Sequence, residues 1–224
     1  GMLEAKRDLF LAISHELRTP VTRARVAVEL VEDDAQREAI ATDMKEMDSL
    51  ISDLAEAEAL STRHSTLNRQ PHSVSQLIIT ELTEYFADSG IVPPELSNDD
   101  YMLLDGMRIR LLLRNLLNNS LRHTDSDQNR PTVSAAVGNV RLVLEVNDSG
   151  VGIDAKHLGR VTEAFYRPDA SRQRKTGGIG LGLYLCRNIV AAHRGTMIIE
   201  SEPGKGTSVI VSIPHKVVSE KFDS

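Results

Sequence analysis

The sequence predicts an α+β fold in two parts, an antiparallel helical hairpin followed by a domain of helices layered on a β-sheet. Residues 3–60 contain one proline and no glycine, and their apolar side chains recur at helical spacing. After residue 61, short β-rich runs alternate with helical patterns, and all but one of the fourteen glycines lie beyond residue 89. This change of pattern predicts two domains.

The composition is that of a folded, soluble protein. Of the 224 residues, 41% are hydrophobic and 26% are charged, which argues against disorder. The net charge of -6 argues against non-specific nucleic-acid binding, which needs clustered cations. The single cysteine, Cys186, lacks a partner for an internal disulfide and is expected to be a small buried residue.

The first part, residues 1–62, is predicted to be a helical dimerisation domain. Its second helical stretch starts at Gln36 and carries a heptad seam of apolar residues at Ile40, Met44, Met47, Ile51 and Leu54. The acidic segment VEDDAQ before it predicts a turn and an N-cap between antiparallel helices. Since two such helices bury little apolar surface alone, the seam predicts pairing with a second copy into a dimeric four-helix bundle.

The segment SHELRTPV contains a candidate functional histidine, His15. On a helical wheel, His15 lies opposite an apolar stripe formed by Leu9, Phe10, Ile13, Leu17, Val21, Ala24, Val28 and Val31. Thr19 shares the face of His15, the adjacent Glu16 can accept a proton from the imidazole, and Pro20 kinks the helix one turn later. From these residues alone, a nucleophilic histidine and a merely exposed one are equally good interpretations.

The second part is predicted to begin after a polar linker. Residues 61–73 are polar and contain Pro71, and we place the linker at 63–70, the domain at 71–216 and a tail at 217–224. The sequence predicts a hairpin turn at Gly138-Asn139 within one mixed or antiparallel sheet. Strands are predicted at Tyr101–Leu104, Thr132–Val137, Arg141–Val146, Met197–Glu200 and Ser208–Ile213, and helices at Val74–Ala87, Met107–His123 and Gly182–His193.

Two glycine clusters, at residues 148–152 and 177–182, indicate close approach of the backbone to a ligand. No GxxxxGK[ST] segment is present, which excludes a P-loop, and GGIGLG lacks the preceding strand of a dinucleotide-binding motif. The second cluster leads directly into a helix, whose free N–H groups favour a phosphate. A glycine-rich turn without a ligand is the alternative for either cluster alone.

A polar helical face supplies possible metal and phosphate ligands. Asn115, Asn119, Arg122 and His123 fall on one face of the helix at 107–123, and Leu113 and Leu117 lie on the other. Amide oxygens can bind Mg2+ that also bridges substrate phosphates. A solvated surface explains Asn118 well, but it explains Asn115 and Asn119 together less well.

Asp148 and the segment between the glycine clusters complete the candidate site. At the mouth of the first glycine turn, the Asp148 carboxylate can accept a hydrogen bond from an exocyclic amine such as that of adenine. The cationic segment FYRPDASRQRKT has the composition of a lid over phosphates, although a charged surface loop is the simpler interpretation for any single cation. The turn in EPGKGT can equally be purely architectural.

These motifs together resemble those of the sensor histidine kinases of two-component systems. FLAISHELRTPVTR is similar to the phosphoacceptor motif, RNLLNNSLRHT to the asparagine motif, and VNDSGVGI to the first glycine motif. EAFYRPD, GGIGLGLYLCRNIV and PGKGT resemble the phenylalanine motif, the second glycine motif and the last glycine turn. Their order and separations make the resemblance specific, and it covers nearly the whole chain.

The resemblance implies a homodimeric hairpin carrying the phosphoacceptor, followed by an ATP-binding α/β sandwich of the histidine kinase, gyrase and chaperone type. By that likeness His15 is phosphorylated from ATP, Glu16 assists as base, and Thr19 helps orient water for dephosphorylation of a partner response regulator. The resemblance further implies the cytoplasmic portion of a bacterial inner-membrane protein. No apolar run approaches the roughly 20 residues that span a bilayer, and Gly1 before Met2 is expected to be a cloning scar. We therefore expect a fragment, with the membrane-spanning or sensing segment outside this chain.

The resemblance also assigns the nucleotide site. Asn119 holds Mg2+, Asn115 lies beside the phosphates, Arg122 touches phosphate and Asp148 reads adenine. The remaining nucleotide-binding positions are Gly150, Gly152, Gly178, Gly180 and Gly182 in the glycine clusters, with His123, Arg167, Leu181 and Thr207. This sequence departs from the family pattern where His123 replaces Tyr, Ser120 replaces Ala, and Thr162 replaces the first Phe of the phenylalanine motif.

Three other functions fit parts of the pattern. An ATPase of the gyrase or chaperone type needs a glutamate in the asparagine helix to activate water, and residues 107–123 contain none. A serine/threonine kinase on the same ATP-binding fold would not need the histidine-bearing hairpin. A non-catalytic dimerisation scaffold would bind no ATP in the presence of Mg2+.

Overall fold

The protein is described by a computed structural model, in which the chain divides into two compact units, residues 1–65 and 66–224. The structure describes residues 21–24, 26–29, 31, 33–38, 40–41, 44, 47, 51, 67–96, 101–124, 130–138, 140–168 and 180–214. Within these residues, no helix is both long enough and apolar enough to cross a membrane.

The first unit is helical where it is described. Residues 21–24 and 26–28 are helical, and so are residues 34–38. The Asp33 carboxylate accepts a hydrogen bond from the Gln36 amide at 3.0 Å, so the acidic segment supplies the predicted N-cap. Val21 and Val28 of the predicted apolar stripe are buried, as is Ile51 of the heptad seam.

The second unit opens with a strand and a helix. Strand β1 (Gln70–Ser73) leads into helix α1 (Val74–Tyr85), whose N-cap Ser73 accepts a hydrogen bond from the Gln76 amide. A short 3-10 turn (Ala87–Ser89) follows α1. Strand β2 (Tyr101–Leu104) pairs antiparallel with β1 in a two-stranded sheet, and helix α2 (Gly106–His123) comes next.

The remaining described elements of the unit are two helices and a four-stranded antiparallel sheet. Its strands are β3 (Thr132–Val137), β4 (Arg141–Asp148), β5 (Thr196–Glu202) and β6 (Gly206–Pro214), in the order β3-β4-β6-β5. Between β4 and β5 lie the one-turn helix α3 (Ala155–Leu158) and helix α4 (Gly182–Ala192). The Gly138 amide bonds to the Arg141 carbonyl at 2.9 Å and closes the predicted β3–β4 hairpin.

One face of this sheet is buried because apolar residues alternate along paired strands. Leu142, Leu144 and Val146 of β4 lie opposite Ile213, Val211 and Val209 of β6, and all six are buried. Helices α2 and α4 contact this sheet, and α1 contacts α2 in turn. The same alternation brings Asp148 onto the buried face at the end of β4, opposite Thr207.

The structure differs from the predicted elements in two places. Residues 70–73, interpreted as part of a polar linker, form β1, because pairing with β2 supplies the hydrogen bonds that local sequence does not predict. The single predicted sheet is two sheets, since Tyr101–Leu104 pairs with β1 rather than with the larger sheet.

Candidate active site

The Asp148 carboxylate lies in a buried polar position between two backbone donors. Its Oδ1 accepts hydrogen bonds from the Gly150 amide at 2.9 Å and from the Thr207 amide at 3.2 Å, and Asp148 is only 5% exposed. The glycine turn supplies one donor and the neighbouring strand supplies the other. The carboxylate is therefore held in one orientation before any ligand arrives.

The electrostatics of this carboxylate are dominated by its burial. Burial raises the pKa of Asp148 above its ordinary value of 3.8, while the amides of Gly150 and Thr207, the nearby His123 and the Ser120 hydroxyl act to lower it. Ser120 is itself buried in α2. A buried, oriented carboxylate of this kind is suited to accept a hydrogen bond from a neutral amine.

Gly150 and Gly206 let the backbone pack closely around Asp148. A Cβ on Gly150 would lie 2.3 Å from the His123 carbonyl oxygen, and one on Gly206 would lie 1.9 Å from the Asp148 carbonyl oxygen. Gly206 has φ +100° and Gly152 has φ +66°, a region that L side chains rarely adopt. The turn in PGKGT therefore directly supports the candidate site, although the sequence allowed a purely architectural role.

The asparagines of α2 lie at different depths. Asn118 is exposed, whereas Asn115 and Asn119 are half-buried, and the Asn115 side-chain amide donates to the Leu111 carbonyl at 3.0 Å. That donation leaves the side-chain oxygen of Asn115 on the side of Gly182, where a Cβ would lie 3.0 Å from it. Arg122 is exposed and His123 is half-buried in the last turn of α2.

Helix α4 begins beside these asparagines. Its N-cap residue, Leu181, is buried and makes no side-chain capping hydrogen bond. Leu181 therefore supplies no side-chain cap to the first-turn N–H groups of α4, which carry the positive end of the helix dipole. Phosphate oxygens are well suited to such a position when other contacts hold the ligand there.

The first residue of the cationic segment, Phe165, is hydrogen-bonded to Gly180, just before α4. The Phe165 amide donates to the Gly180 carbonyl at 3.0 Å, and Gly180 has φ +79°. Phe165 is a non-glycine residue at φ 65° and is 51% exposed. Strained residues of this kind are often found at functional sites. Arg167, which follows, is half-buried.

The side chain of Thr162 contacts α4. The Arg187 guanidinium donates to the Thr162 hydroxyl at 3.3 Å, a contact that the phenylalanine expected here could not accept. Tyr166 contacts the region of α3 instead. Its hydroxyl lies 2.6 Å from His157 Nδ1, and the Arg160 guanidinium lies 4.1 Å from the centre of its ring.

The structure brings together most of the predicted site and leaves part of it undescribed. Asn115, Asn119 and His123 lie in α2, Asp148 and Thr207 on paired strands, and Gly180 to Gly182 at the start of α4. His15, Glu16, Thr19 and Gly178 lie outside the described residues. Sequence reasoning missed the contribution of Ser120 and Gly206 to the surroundings of Asp148, because only strand pairing and helix packing bring them there.

The donor set constrains what metal chemistry is possible. Among the described residues, no group of three or more His, Cys, Asp or Glu side chains could hold a metal ion. A divalent cation at Asn119 would depend on this amide oxygen, water and ligand phosphates. Mg2+ commonly binds in this way.

This arrangement of a buried carboxylate, glycine turns and an asparagine helix belongs to a known class of ATP-binding domains. Residues 104–217 match the family described as histidine kinase-, DNA gyrase B- and HSP90-like ATPases. Residues 5–62 match the family described as the His Kinase A (phospho-acceptor) domain. The chain therefore belongs to the sensor histidine kinases: it carries an ATP-binding domain and a phosphoacceptor domain, and it is a protein-histidine kinase by family.

Individual relatives agree with this assignment. The chain is 35% identical over 222 residues to the signal transduction histidine-protein kinase BaeS of Escherichia coli (strain K12), covering 94% of this chain and 47% of BaeS. It is 26% identical to the sensor protein SrrB of Staphylococcus aureus (strain MRSA252), covering 94% of this chain and 38% of SrrB. The chain thus spans half or less of the length of these relatives.

Solved structures support the fold. Full-length ShkA, crystallised in complex with AMPPNP, matches with a TM-score of 0.70 at 23% identity, over 95% of this chain and 47% of ShkA. The Acinetobacter baumannii histidine kinase AdeS matches with a TM-score of 0.64 at 20% identity, over 91% of this chain and 98% of the AdeS chain in that structure.

Proposed function

We propose that the chain is the kinase core of a two-component sensor, in which ATP bound by residues 71–216 phosphorylates His15. The observation that carries the proposal is the buried Asp148 carboxylate, held by the amides of Gly150 and Thr207 on the sheet face that the helices cover. In this orientation the carboxylate accepts a hydrogen bond from the adenine amine, while the glycines on either side leave room for the flat base.

The phosphates are proposed to run from Asp148 along α2 towards the start of α4. Asn115 lies beside Gly182 there, and the first-turn N–H groups of α4, which Leu181 does not cap, offer donors to a phosphate. Asn119 would hold Mg2+, which would neutralise phosphate charge. Arg122, His123, Arg167 and Leu181 are assigned to the nucleotide as further ligands, and Gly178, Gly180 and Gly182 to the hinge of the lid.

The chemical step is an in-line displacement for which positioning supplies most of the catalysis. A lone pair of the neutral His15 imidazole forms a bond to the γ-phosphorus, and the bond from that phosphorus to the β-phosphate bridging oxygen breaks to release ADP. Glu16 takes the imidazole proton. The phosphoryl group is then transferred to an aspartate of a response regulator.

The first unit is proposed to form a homodimer through its heptad seam, of which Ile51 is buried and Met47 is 40% exposed. Thr19 shares the predicted face of His15 and is assigned to orienting water, so the same site would also dephosphorylate the regulator. The chain matches 47% of the length of BaeS, and we propose, as its membership of the sensor histidine kinases suggests, that it is the cytoplasmic portion of a bacterial inner-membrane protein.

The decisive experiment is labelling with ATP that carries a radioactive γ-phosphate. His15→Ala is expected to abolish incorporation while leaving nucleotide affinity unchanged, and His64→Ala, which removes another histidine of the N-terminal region, should retain it. Labelling of His15→Ala at the normal level would overturn the assignment. A wild-type chain that binds no ATP in the presence of Mg2+ would instead indicate a non-catalytic scaffold.

A further inference from the structure

Helices α2 and α4 run in opposite directions, and α4, from its first residue to its C-cap, contacts the N-terminal part of α2. At one end Gly182 meets Asn115, and in the middle Cys186 Sγ lies 3.9 Å from the Leu112 carbonyl oxygen. At the other end His193, the C-cap of α4, meets Asp105, the N-cap of α2. The candidate phosphate site lies at the first of these ends and His193 at the last.

The His193 imidazole connects the two helices through both ring nitrogens. Nδ1 lies 2.8 Å from the Ile189 carbonyl oxygen in the last turn of α4, and Nε2 lies 3.3 Å from the Asp105 amide nitrogen. The carbonyl can only accept and the amide can only donate. The ring is therefore neutral, with the proton on Nδ1 and the lone pair on Nε2.

Asp105 extends this connection to the chain that enters the domain. Its Oδ1 accepts a hydrogen bond from the Arg108 amide at 3.3 Å and caps α2, and its Oδ2 accepts one from the Asn68 amide at 3.1 Å. Asn68 lies two residues before β1, so this cluster of hydrogen bonds joins the start of α2, the end of α4 and the segment that enters β1.

The surroundings of His193 favour its neutral form. His193 is 2% exposed, and burial lowers its pKa below the ordinary value of 6.5. Two cations near the ring, Arg69 before β1 and Arg108 in the first turn of α2, act in the same direction. The Ile189 carbonyl and the Asp105 carboxylate act to raise the pKa but do not outweigh burial.

We propose that His193 is a positioning residue of the nucleotide site, acting from the far end of the α2–α4 pair. Its two hydrogen bonds fix the position of α4 along the axis of α2. This position determines where Gly182 lies relative to Asn115. Because packed helices transmit small shifts rather than absorb them, loss of the bond to Asp105 displaces the start of α4 against the asparagines. The inference rests on the proposed function, since it is tested by measuring the KM for ATP.

Two neutral substitutions separate the two bonds of the ring. His193→Gln retains an acceptor at about the reach of Nε2, whereas His193→Asn retains a donor near Nδ1 but is too short to reach the Asp105 amide. The expected result is a KM for ATP close to wild type in the glutamine variant and raised about three- to tenfold in the asparagine variant, the range for one lost hydrogen bond. In both variants kcat should remain near wild type.

This split between KM and kcat distinguishes positioning from simple loss of folded protein. Partial unfolding lowers the apparent kcat and leaves KM unchanged, because the remaining folded molecules bind ATP normally. If the asparagine variant binds ATP with the wild-type KM, the inference is wrong. A lowered kcat with an unchanged KM would equally contradict it.

A pH profile provides a second measurement that does not need the asparagine variant. Protonation of His193 would place an N–H opposite the Asp105 N–H. The wild-type KM for ATP should therefore rise more steeply than that of His193→Gln as pH falls below the ordinary imidazole pKa of 6.5. Parallel profiles would overturn the inference. Direct calorimetry with ATP on the wild-type chain tests the proposed function separately, since absent binding there would reject that function whatever His193 does.

Discussion

Asp148 and Thr207 lie directly opposite each other on β4 and β6, and the Thr207 amide donates to the Asp148 carboxylate at 3.2 Å. The two residues are far apart in sequence, and strand pairing alone brings them together. This pairing places a carboxylate on the buried face of a sheet at the point where the strand enters a glycine turn.

Replacement of Asp148 by Asn should separate ligand recognition from folding. The amide oxygen can still accept from Gly150 and Thr207, but the charge that attracts the adenine amine is lost. We expect ATP affinity to fall about tenfold to a hundredfold, the range for a hydrogen bond to a charged group, in a protein that remains folded. Calorimetric titration with ATP measures this loss.

A matched control lies on the same strand. Glu145 faces the other side of the sheet, where its carboxylate accepts from the Ser208 hydroxyl at 2.7 Å. Glu145→Gln removes the same charge from β4 and should leave ATP affinity unchanged. Equal losses in both variants would show that net charge, rather than the position of Asp148, determines affinity.

The raised pKa of Asp148 predicts a pH dependence of stability. A carboxyl whose pKa is higher in the folded than in the unfolded state binds a proton more tightly when folded. Its contribution to stability is therefore complete below the unfolded pKa and is lost as pH rises through the folded pKa. The unfolding free energy of Asp148→Asn, relative to wild type, should increase as pH rises from about 3 towards 7.

Urea unfolding at several pH values measures this difference. The ordinary titration of the other carboxyl groups is common to both proteins and cancels in the comparison. A difference that is constant with pH, or that decreases as pH rises, would contradict the predicted direction.

Gly206 and Gly204 form a matched pair for testing the support of the candidate site. Both have positive φ, +100° and +77°, so alanine at either position costs about 1 kcal/mol in backbone strain. A Cβ on Gly206 would also lie 1.9 Å from the Asp148 carbonyl oxygen, whereas one on Gly204 meets nothing within 4 Å. We expect Gly206→Ala to lower both the unfolding free energy and ATP affinity more than Gly204→Ala. Similar losses in both would rule out the steric contact.

Asn119 and the adjacent Asn118 test the proposed metal ligand. Asn119 is half-buried and Asn118 is exposed on the same helix. Asn119→Ala should remove most of the enhancement of ATP binding by Mg2+, because the protein's oxygen ligand is lost. Asn118→Ala should bind ATP like wild type with and without Mg2+. An unchanged Mg2+ dependence in Asn119→Ala would exclude the amide as a ligand.

Glu81 and Glu84 of α1 provide a test of stability away from the site. Glu81 is 0% exposed and its Oε1 lies 2.6 Å from Arg114 Nε, whereas the Glu84 carboxylate is exposed and lies 3.9 Å from Arg110. Loss of one partner from a buried pair costs several kcal/mol. Because the Arg114 side chain is 34% exposed and partly hydrated, we expect Glu81→Ala to cost about 2–3 kcal/mol.

Glu84→Ala should change the unfolding free energy by less than about 1 kcal/mol, as exposed ion pairs usually do. Chemical denaturation of both variants provides the comparison. Equal costs would mean that the Glu81–Arg114 pair contributes no more than a surface pair.

The sequence by itself determined the local elements and the chemistry-bearing motifs. Apolar periodicity predicts α2 and α4, and alternation predicts β4, since these patterns depend on neighbours a few residues away. The motif order places the chain in the histidine kinase family, and the residue matches confirm it. The roles assigned to individual site residues remain predictions.

Only the tertiary structure decided which distant residues surround Asp148 and which strands pair. The β1–β2 sheet, the contact of Gly206 with the Asp148 backbone and the bond from the Asp105 amide to His193 all join residues far apart in the chain or on different elements. Such contacts depend on how whole elements pack and pair, and periodicity within one element does not specify its partner. For that reason His193 showed no signal in the sequence, although the structure places it between the two helices of the candidate site.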